Sequence, residues 1–373
     1  MSTSYRLVAV LSLAFAACGA PASDTGGFKI TVGGEGEALE GFHFPAEGDA
    51  PFFQDGWELH FSNVVVFLDK VRVSENPDRS PTDQSQTGDV VAEATGPWVV
   101  DLAQEGPLDA KEMNGKAFAL TTIANQNKKG GAAFDPTLKY AFGFDLIEGV
   151  AGATNVNGVD AAVLSTMVTK GYAVWVNGTA EFKGTACRQT VAGYDFERLP
   201  KKVNFAFGYK APVTFKNCIN PELMPAESKG IQAQRNAETT AQITLHLDHP
   251  FWESLTEDAP LRFDLIAARK SVATGAGPAE ASVTQDDLVG LDFLSGKDAQ
   301  GTALPWRYCG AADASDRTTG TVSYDTAGVP TNPAGGAAGL KDLADYMTYN
   351  LSTFGHLNND GLCFPARNFP APP

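Results

Sequence analysis

Residues 57–73 read WELHFSNVVVFLDKVRV, and this stretch decides the fold class. Its odd positions are Trp57, Leu59, Phe61, Asn63, Val65, Phe67, Asp69, Val71 and Val73, seven of nine apolar. Its even positions begin polar with Glu58, His60 and Ser62 and end polar with Lys70 and Arg72, with Val64, Val66 and Leu68 between. Successive side chains of a strand point to opposite faces. The pattern therefore predicts a strand buried on one face at its ends and on both faces in its middle, as at the centre of a sandwich. Outward from it, Val-, Phe- and Thr-rich runs alternate with Gly, Pro and Asn turns, and strands are expected near 28–33, 97–103, 116–123, 138–146, 171–183, 202–216 and 240–248.

Three helices interrupt the pattern, over 159–169, 285–290 and 340–354. The last has Leu340, Leu343, Met347, Leu351 and Phe354 at helical spacing, with Gly355 to stop it. The first has Asp160 in its opening turn. The polar stretch 74–95 reads as a long exposed hairpin or loop, and 272–280 and 325–339 as surface loops. None forces a boundary, so residues 28–373 are expected to form a single mainly β domain, a β-sandwich with a few peripheral helices.

The N-terminal segment reads as an export signal. One basic residue, Arg6, precedes an apolar run over 7–17. As a helix that run reaches roughly 17 Å, short of the ~30 Å of a bilayer core but suited to a signal peptide. Small residues leading to Cys18 and Gly19 resemble a lipobox, with Phe15 where that motif usually carries Leu. On this reading residues 1–17 are removed, Cys18 is lipidated and 18–27 form a flexible tether. The rival is ordinary cleavage at 14–16, leaving Cys18 a free thiol. An odd count of five cysteines favours the lipid, because acylating Cys18 leaves Cys187, Cys218, Cys309 and Cys363 to pair. Four cysteines pair in three ways, and sequence proximity favours Cys187–Cys218 and Cys309–Cys363, the second holding the 340–354 helix to the β-core.

A net charge of −16 excludes nucleic acid as the natural partner, because that affinity rests on Lys and Arg at phosphates. The sequence contains no P-loop, H-E-x-x-H, G-x-S-x-G or dinucleotide fingerprint after a strand. Asn155-Val156-Asn157-Gly158 is a turn rather than a calcium loop, since Ala153 and Leu164 would occupy the end ligand positions.

Histidine is rare, with five in 373 residues, and His246-Leu247-Asp248-His249 is the densest group. On a strand from 241, Gln242, Thr244, His246 and Asp248 share one face; Pro250 then turns His249 away from the strand. Two imidazoles and a carboxylate at such a corner can supply two or three ligands to copper, zinc or iron. His60 with Glu58, His43 and His356 are the candidates to complete the set. The structural alternative has Asp248 capping a helix and the histidines hydrogen-bonded to neighbours. Trp57, Trp98, Trp175, Trp252 and Trp306 stand in apolar context and read as core, with an exposed aromatic platform for sugars as the alternative.

Two resemblances add to this. Residues 244–252 (TLHLDHPFW), 355–363 (GHLNNDGLC) and 53–57 (FQDGW) are similar to uncharacterised lipoproteins of myxobacterium-like bacteria. The order of a long strand at 57–73, a helix ending near Met167, Gly171-Tyr172, Cys187, Cys218 and Asn220-Pro221 resembles the MbnP-like periplasmic copper-binding family. Val168 and Thr169 stand where that family carries a Met-aromatic-Trp-x-Trp run, so its oxidised-tryptophan chemistry is not carried over. The expectation is a non-catalytic lipoprotein in the periplasm or at the cell surface, anchored to the outer membrane. It would bind copper or zinc through His246, His249, Asp248, His60 and His356, its protein partner unassigned. The alternative is a cell-surface interaction or glycan-binding lipoprotein with structural histidines.

Overall fold

A computed structural model describes residues 26–369, apart from 49, 112–114, 186, 188, 226, 257–258, 310–319 and 327–339. Cys18, the signal-like run and most of the tether lie outside the described residues. The described chain is mainly β, with two large sheets and few helices.

The long strand is Trp57–Ser74, and it organises the larger sheet. Along one edge it pairs antiparallel first with Val174–Phe182 and then with Lys139–Leu146. Along the other it pairs with Trp98–Asp101 and then Val90–Ala94. The expected burial holds, since both faces are covered from Val64 to Leu68. The expected single apolar parity does not. Phe61 faces Gly178 and Asn63 faces Asn177, so Ser62 is an extra residue. A second extra residue lies between Asp69, opposite Asp145, and Arg72, opposite Gly143. Each bulge shifts the alternation by one and turns the following side chains to the other face. The main core accordingly receives Trp57 and Leu59, then Val64, Val66 and Leu68, then Val71 and Val73. Val65 and Phe67 go to a second, smaller core with Val99, Val159 and Met167.

That second core exists because a helix, Ala161–Lys170, lies over the outer face. Asp160 is its N-cap, its carboxylate accepting from Ala162 N at 2.8 Å and Val163 N at 3.3 Å. Gly171 ends it at φ 70°, the left-handed C-terminal position. The preceding turn is built by Asn155, whose Oδ1 accepts from Gly158 N and Val159 N.

The smaller sheet runs, in order, Gly361–Leu362, Gly355–Leu357, Thr239–Leu245, Phe28–Gly33, Lys116–Ile123 and Leu108–Asp109. It packs on the larger one through aromatic contacts such as Phe28 with Tyr140. Gly355 does not stop a helix, as the sequence implied. The helix is Leu343–Leu351, capped by Asp342, and Gly355 opens a strand. A Cβ there would lie 2.6 Å from the Phe215 ring, so glycine is what lets the two sheets close. The expected strand over 202–216 is two, Lys202–Tyr209 and Val213–Lys216, broken where Pro212 has no N–H to donate. Stretch 74–95 is a loop that returns as the strand Val90–Ala94.

The disulfides correct the proximity argument: Cys187 pairs with Cys309 and Cys218 with Cys363. Cys218 follows Val213–Lys216, and that strand pairs antiparallel with Phe364–Arg367, so Cys363 arrives beside it through the sheet. Cys309 N–H donates to Gln54 O, and Gly56 O accepts from Lys183 N–H and Gly184 N–H, so segment 54–56 holds Cys309 beside the Cys187 loop.

A buried ionic network, unread in the sequence, ties the segment around 253–309 to the start of the long strand. Asp264 accepts from Trp57 Nε1 at 2.8 Å and from Arg307 Nε and Nη2 at 3.0 and 2.5 Å. Arg307 lies over Phe182 and Phe196, and Arg262 lies over Trp306 and Tyr308. Asp55 Oδ2 accepts from Phe263 N and Asp264 N, both at 2.7 Å. Burial first, and the Asp264 charge second, push the Asp55 carboxyl from 3.8 up to about 7. Across that interval the folded chain holds more protons than the unfolded one. Its contribution is therefore full below 3.8 and is lost as pH rises to about 7. Asp55→Asn keeps the acceptor oxygen and cannot ionise. It is expected to gain on the wild type with rising pH by at most about 1.4 kcal/mol per unit, read from urea midpoints. Parallel pH profiles of the two proteins would remove Asp55 as the proton-binding group.

Candidate metal centre

Local sequence and sheet pairing together build the site. Thr239–Leu245 pairs antiparallel with Gly355–Leu357, which sets Thr244 opposite His356. His246 lies two residues beyond Thr244, on the same face as His356 and diagonal to it. Its backbone N–H continues the ladder to Phe354 O at 2.9 Å. The two imidazoles stack with centroids 3.9 Å apart. The chain then turns at Asp248 into the short 3-10 helix His249–Phe251, with Pro250 where no N–H is needed. That turn carries the His249 ring back to 5.6 Å from His246 and 5.4 Å from His356.

One nitrogen from each of His246, His249 and His356 lies within 4.8 Å of the others. All three side chains are buried. Copper and zinc take imidazole at about 2.0–2.1 Å along a lone pair in the ring plane, so to share one ion the donors draw in by about 1 Å and the stacked His246 and His356 rings turn toward a common centre.

Neighbouring groups select the tautomers. Thr353 Oγ1 gives its hydrogen to Asn350 O at 2.8 Å and can then accept from His249 Nδ1, 2.7 Å away. This places the proton on Nδ1 and a lone pair on Nε2. His246 Nε2 lies 3.1 Å from the Asn359 carbonyl, which can only accept, so its lone pair is on Nδ1. His356 is 5% exposed, and neither of its ring nitrogens forms a hydrogen bond of ordinary geometry. Buried polar atoms without partners are rare and call for an explanation.

Burial, more than any neighbouring charge, favours the neutral form of each ring. The pKa of His249 is well below 6.5, from burial first and then from His356 and His246. His356 is likewise well below it, from burial and then His246. His246 is also lowered by burial, against the Asn359 and Asp360 contributions. Glu35 Oε1 lies 3.2 Å from His246 Nδ1, which favours a charged ring, but the net direction is down. Neutral imidazoles offer lone pairs, the form a metal requires.

The remaining sequence candidates divide. Asp248 turns one oxygen to Trp252 Nε1 at 2.8 Å; its other oxygen lies 4.0 Å from His249 Nε2. It makes no side-chain cap on the short helix. Trp252 in turn stacks on His249 at 3.8 Å. His60 is not brought to the cluster. It is exposed, with Nε2 3.2 Å from Glu58 and Nδ1 3.1 Å from Glu40 O, and His43 lies beside it at 5.8 Å. Trp57, Trp98, Trp252 and Trp306 are buried, which removes them from any exposed sugar platform.

Sequence reasoning passed over Thr353, Asn359, Glu35 and Asp360. Asn358 and Asn359 have φ of 50° and 77° and form the turn between Gly355–Leu357 and Gly361–Leu362. The Asn-Asn-Asp-Gly run signals such a turn, but not what it faces. His246 and Asp248 open onto a cavity of about 490 Å³ that Glu35, Glu37 and Asp360 also line. Among the described residues no helix is long and apolar enough to cross a membrane. No protein-family model, curated protein or solved structure matches the chain.

Proposed function

We propose that this chain is an exported, lipid-anchored protein that binds one transition-metal ion, copper or zinc, without catalysing a reaction, with His246, His249 and His356 as its ligands. One observation carries the reading: three buried imidazoles each bring one nitrogen within 4.8 Å of the others, and neither ring nitrogen of His356 makes a hydrogen bond of ordinary geometry. An all-nitrogen donor set suits copper or zinc rather than calcium or magnesium. Thr353 is the outer partner that would orient His249, in the manner of hydrogen-bonded histidines at metal sites. Export is supported by the two disulfides, which persist outside a reducing cytoplasm. It is supported too by the signal-like run before Cys18, with Gly19 after the cysteine resembling proteins sent to the outer membrane.

Metal analysis of untagged protein extracted in detergent is the test. About one equivalent of copper or zinc is expected, together with the mass of a lipid-modified N-terminal cysteine. His246→Ala/His249→Ala is expected to lose the metal. Thr353→Val, which removes only the hydroxyl, is expected to weaken binding by about 10–100-fold. A wild-type protein that takes up neither metal, or a double variant that binds as tightly as the wild type, would reject the imidazole site.

A further inference from the structure

The inner histidine group offers only nitrogen donors; the second group that shares His246 with it offers mostly carboxylate. Glu35, His246 and Asp360 each present one ligand atom within 4.8 Å of the others. Glu35 and Asp360 come from opposite ends of the chain, and both line the cavity that His246 opens onto. Glu37 and Asp248 add two more carboxylates to its wall, and no Lys or Arg is among its described lining residues. A concave surface of one charge concentrates counter-ions at its floor.

Tautomer geometry sharpens this. With its Nε2 hydrogen given to Asn359 O, His246 directs the Nδ1 lone pair toward Glu35 Oε1, 3.2 Å away. Two electron-rich atoms at that distance are satisfied by a proton or by a cation between them. Stacked on His246 stands His356, 5% exposed and with no hydrogen bond of ordinary geometry at either ring nitrogen.

We propose that Glu35, His246 and Asp360 form a second, outer site for a divalent cation at the cavity floor, from which His246 passes the ion to the buried imidazoles. His246 belongs to both donor sets, so the two sites compete for one ligand and the ion occupies them in turn. The outer site stands on its own donors; its role in transfer rests on the inner site proposed above.

Zn²⁺ titration calorimetry on folded variants separates the two sites. His249→Gln/His356→Gln is expected to keep one weak Zn²⁺ equivalent. Its loss of affinity should exceed the about 10–100-fold that removal of an outer-shell partner costs. Adding Glu35→Gln/Asp360→Asn is expected to abolish that residual binding. In the otherwise wild-type protein, Glu35→Gln/Asp360→Asn is expected to slow Zn²⁺ loading by about 10-fold or more, read by stopped flow with a chromophoric chelator. The outer site is overturned if the His249→Gln/His356→Gln protein binds no Zn²⁺, if its binding survives loss of both carboxylates, or if loading proceeds at the wild-type rate without them. Should the wild type and His249→Gln/His356→Gln bind equally and both lose Zn²⁺ with the carboxylates, the outer site stands and the inner triad fails.

Discussion

Arg307→Ala is expected to destabilise the protein by about 3–5 kcal/mol, the largest effect of any side-chain truncation in the ionic network. Arg307 and Asp264 are each 2% exposed, and their two hydrogen bonds satisfy a charge that water cannot reach. Removing the guanidinium leaves the Asp264 carboxylate buried with Trp57 Nε1 as its remaining side-chain donor. It also empties the space between the Phe182 and Phe196 rings, where Arg307 sits 4.2 Å from each centroid. The cost therefore has an electrostatic part and a packing part, and a second variant separates them. Asp264→Asn/Arg307→Met keeps an acceptor for Trp57 and fills the aromatic gap. It is expected to recover much of the loss, because replacing a buried pair entire is often near neutral. Urea denaturation of the three proteins decides the matter. A loss of under about 1 kcal/mol for Arg307→Ala would place the pair among exposed bridges.

Cys218→Ala/Cys363→Ala should cost a comparable amount. The two cysteines are 145 residues apart in sequence. Chain-entropy arguments give about 4.7 kcal/mol for a closed loop of about 100 residues and slightly more for a longer one. This bridge joins the end of Val213–Lys216 to the start of Phe364–Arg367 and lies close to the hairpin that carries His356. Its loss should therefore loosen the histidine cluster proposed to bind metal as well as lower the urea midpoint. Peptide mapping without reduction is the companion measurement: Cys187 should travel with Cys309, and Cys218 with Cys363. A peptide joining Cys187 to Cys218 would restore the pairing that sequence proximity favours and overturn the topology.

Much of the architecture is legible in the sequence. The strand at 28–33, the strand at 116–123 and the central strand at 57–73 fall within a residue of Phe28–Gly33, Lys116–Ile123 and Trp57–Ser74. Their alternation depends on neighbours two positions away. The helix at 159–169 was readable for a similar reason, with Asn-Gly before it and Gly171 after it. Parity within the central strand was not readable. A bulge at Ser62 depends on the partner strand having one residue fewer, and no local pattern states that.

The candidate site divides in the same way. His246, Asp248 and His249 were found because they are close in sequence. His356 could only be named as one of several distant candidates. What brings it in is the register of Thr244 opposite His356, and what leaves His60 out is a place on the other sheet, where Glu58 and Glu40 already meet its ring. Arg262 and Arg307 carry no local sign of burial, since arginine is normally a surface residue. Their placement depends on Asp264, Glu253 and four aromatic rings contributed from elsewhere in the chain.

Residue order by itself determined the β-rich class, the principal strands and helices, the acidic surface charge and the two-histidine corner at 246–249. Each is a property of composition or of side chains within one helical turn or one strand pleat. Tertiary structure alone decided which sulfurs join, which face each part of the central strand presents, and which third imidazole completes the cluster. Those depend on contacts between residues more than 70 positions apart, where strand register and packing, rather than local preference, set which groups meet.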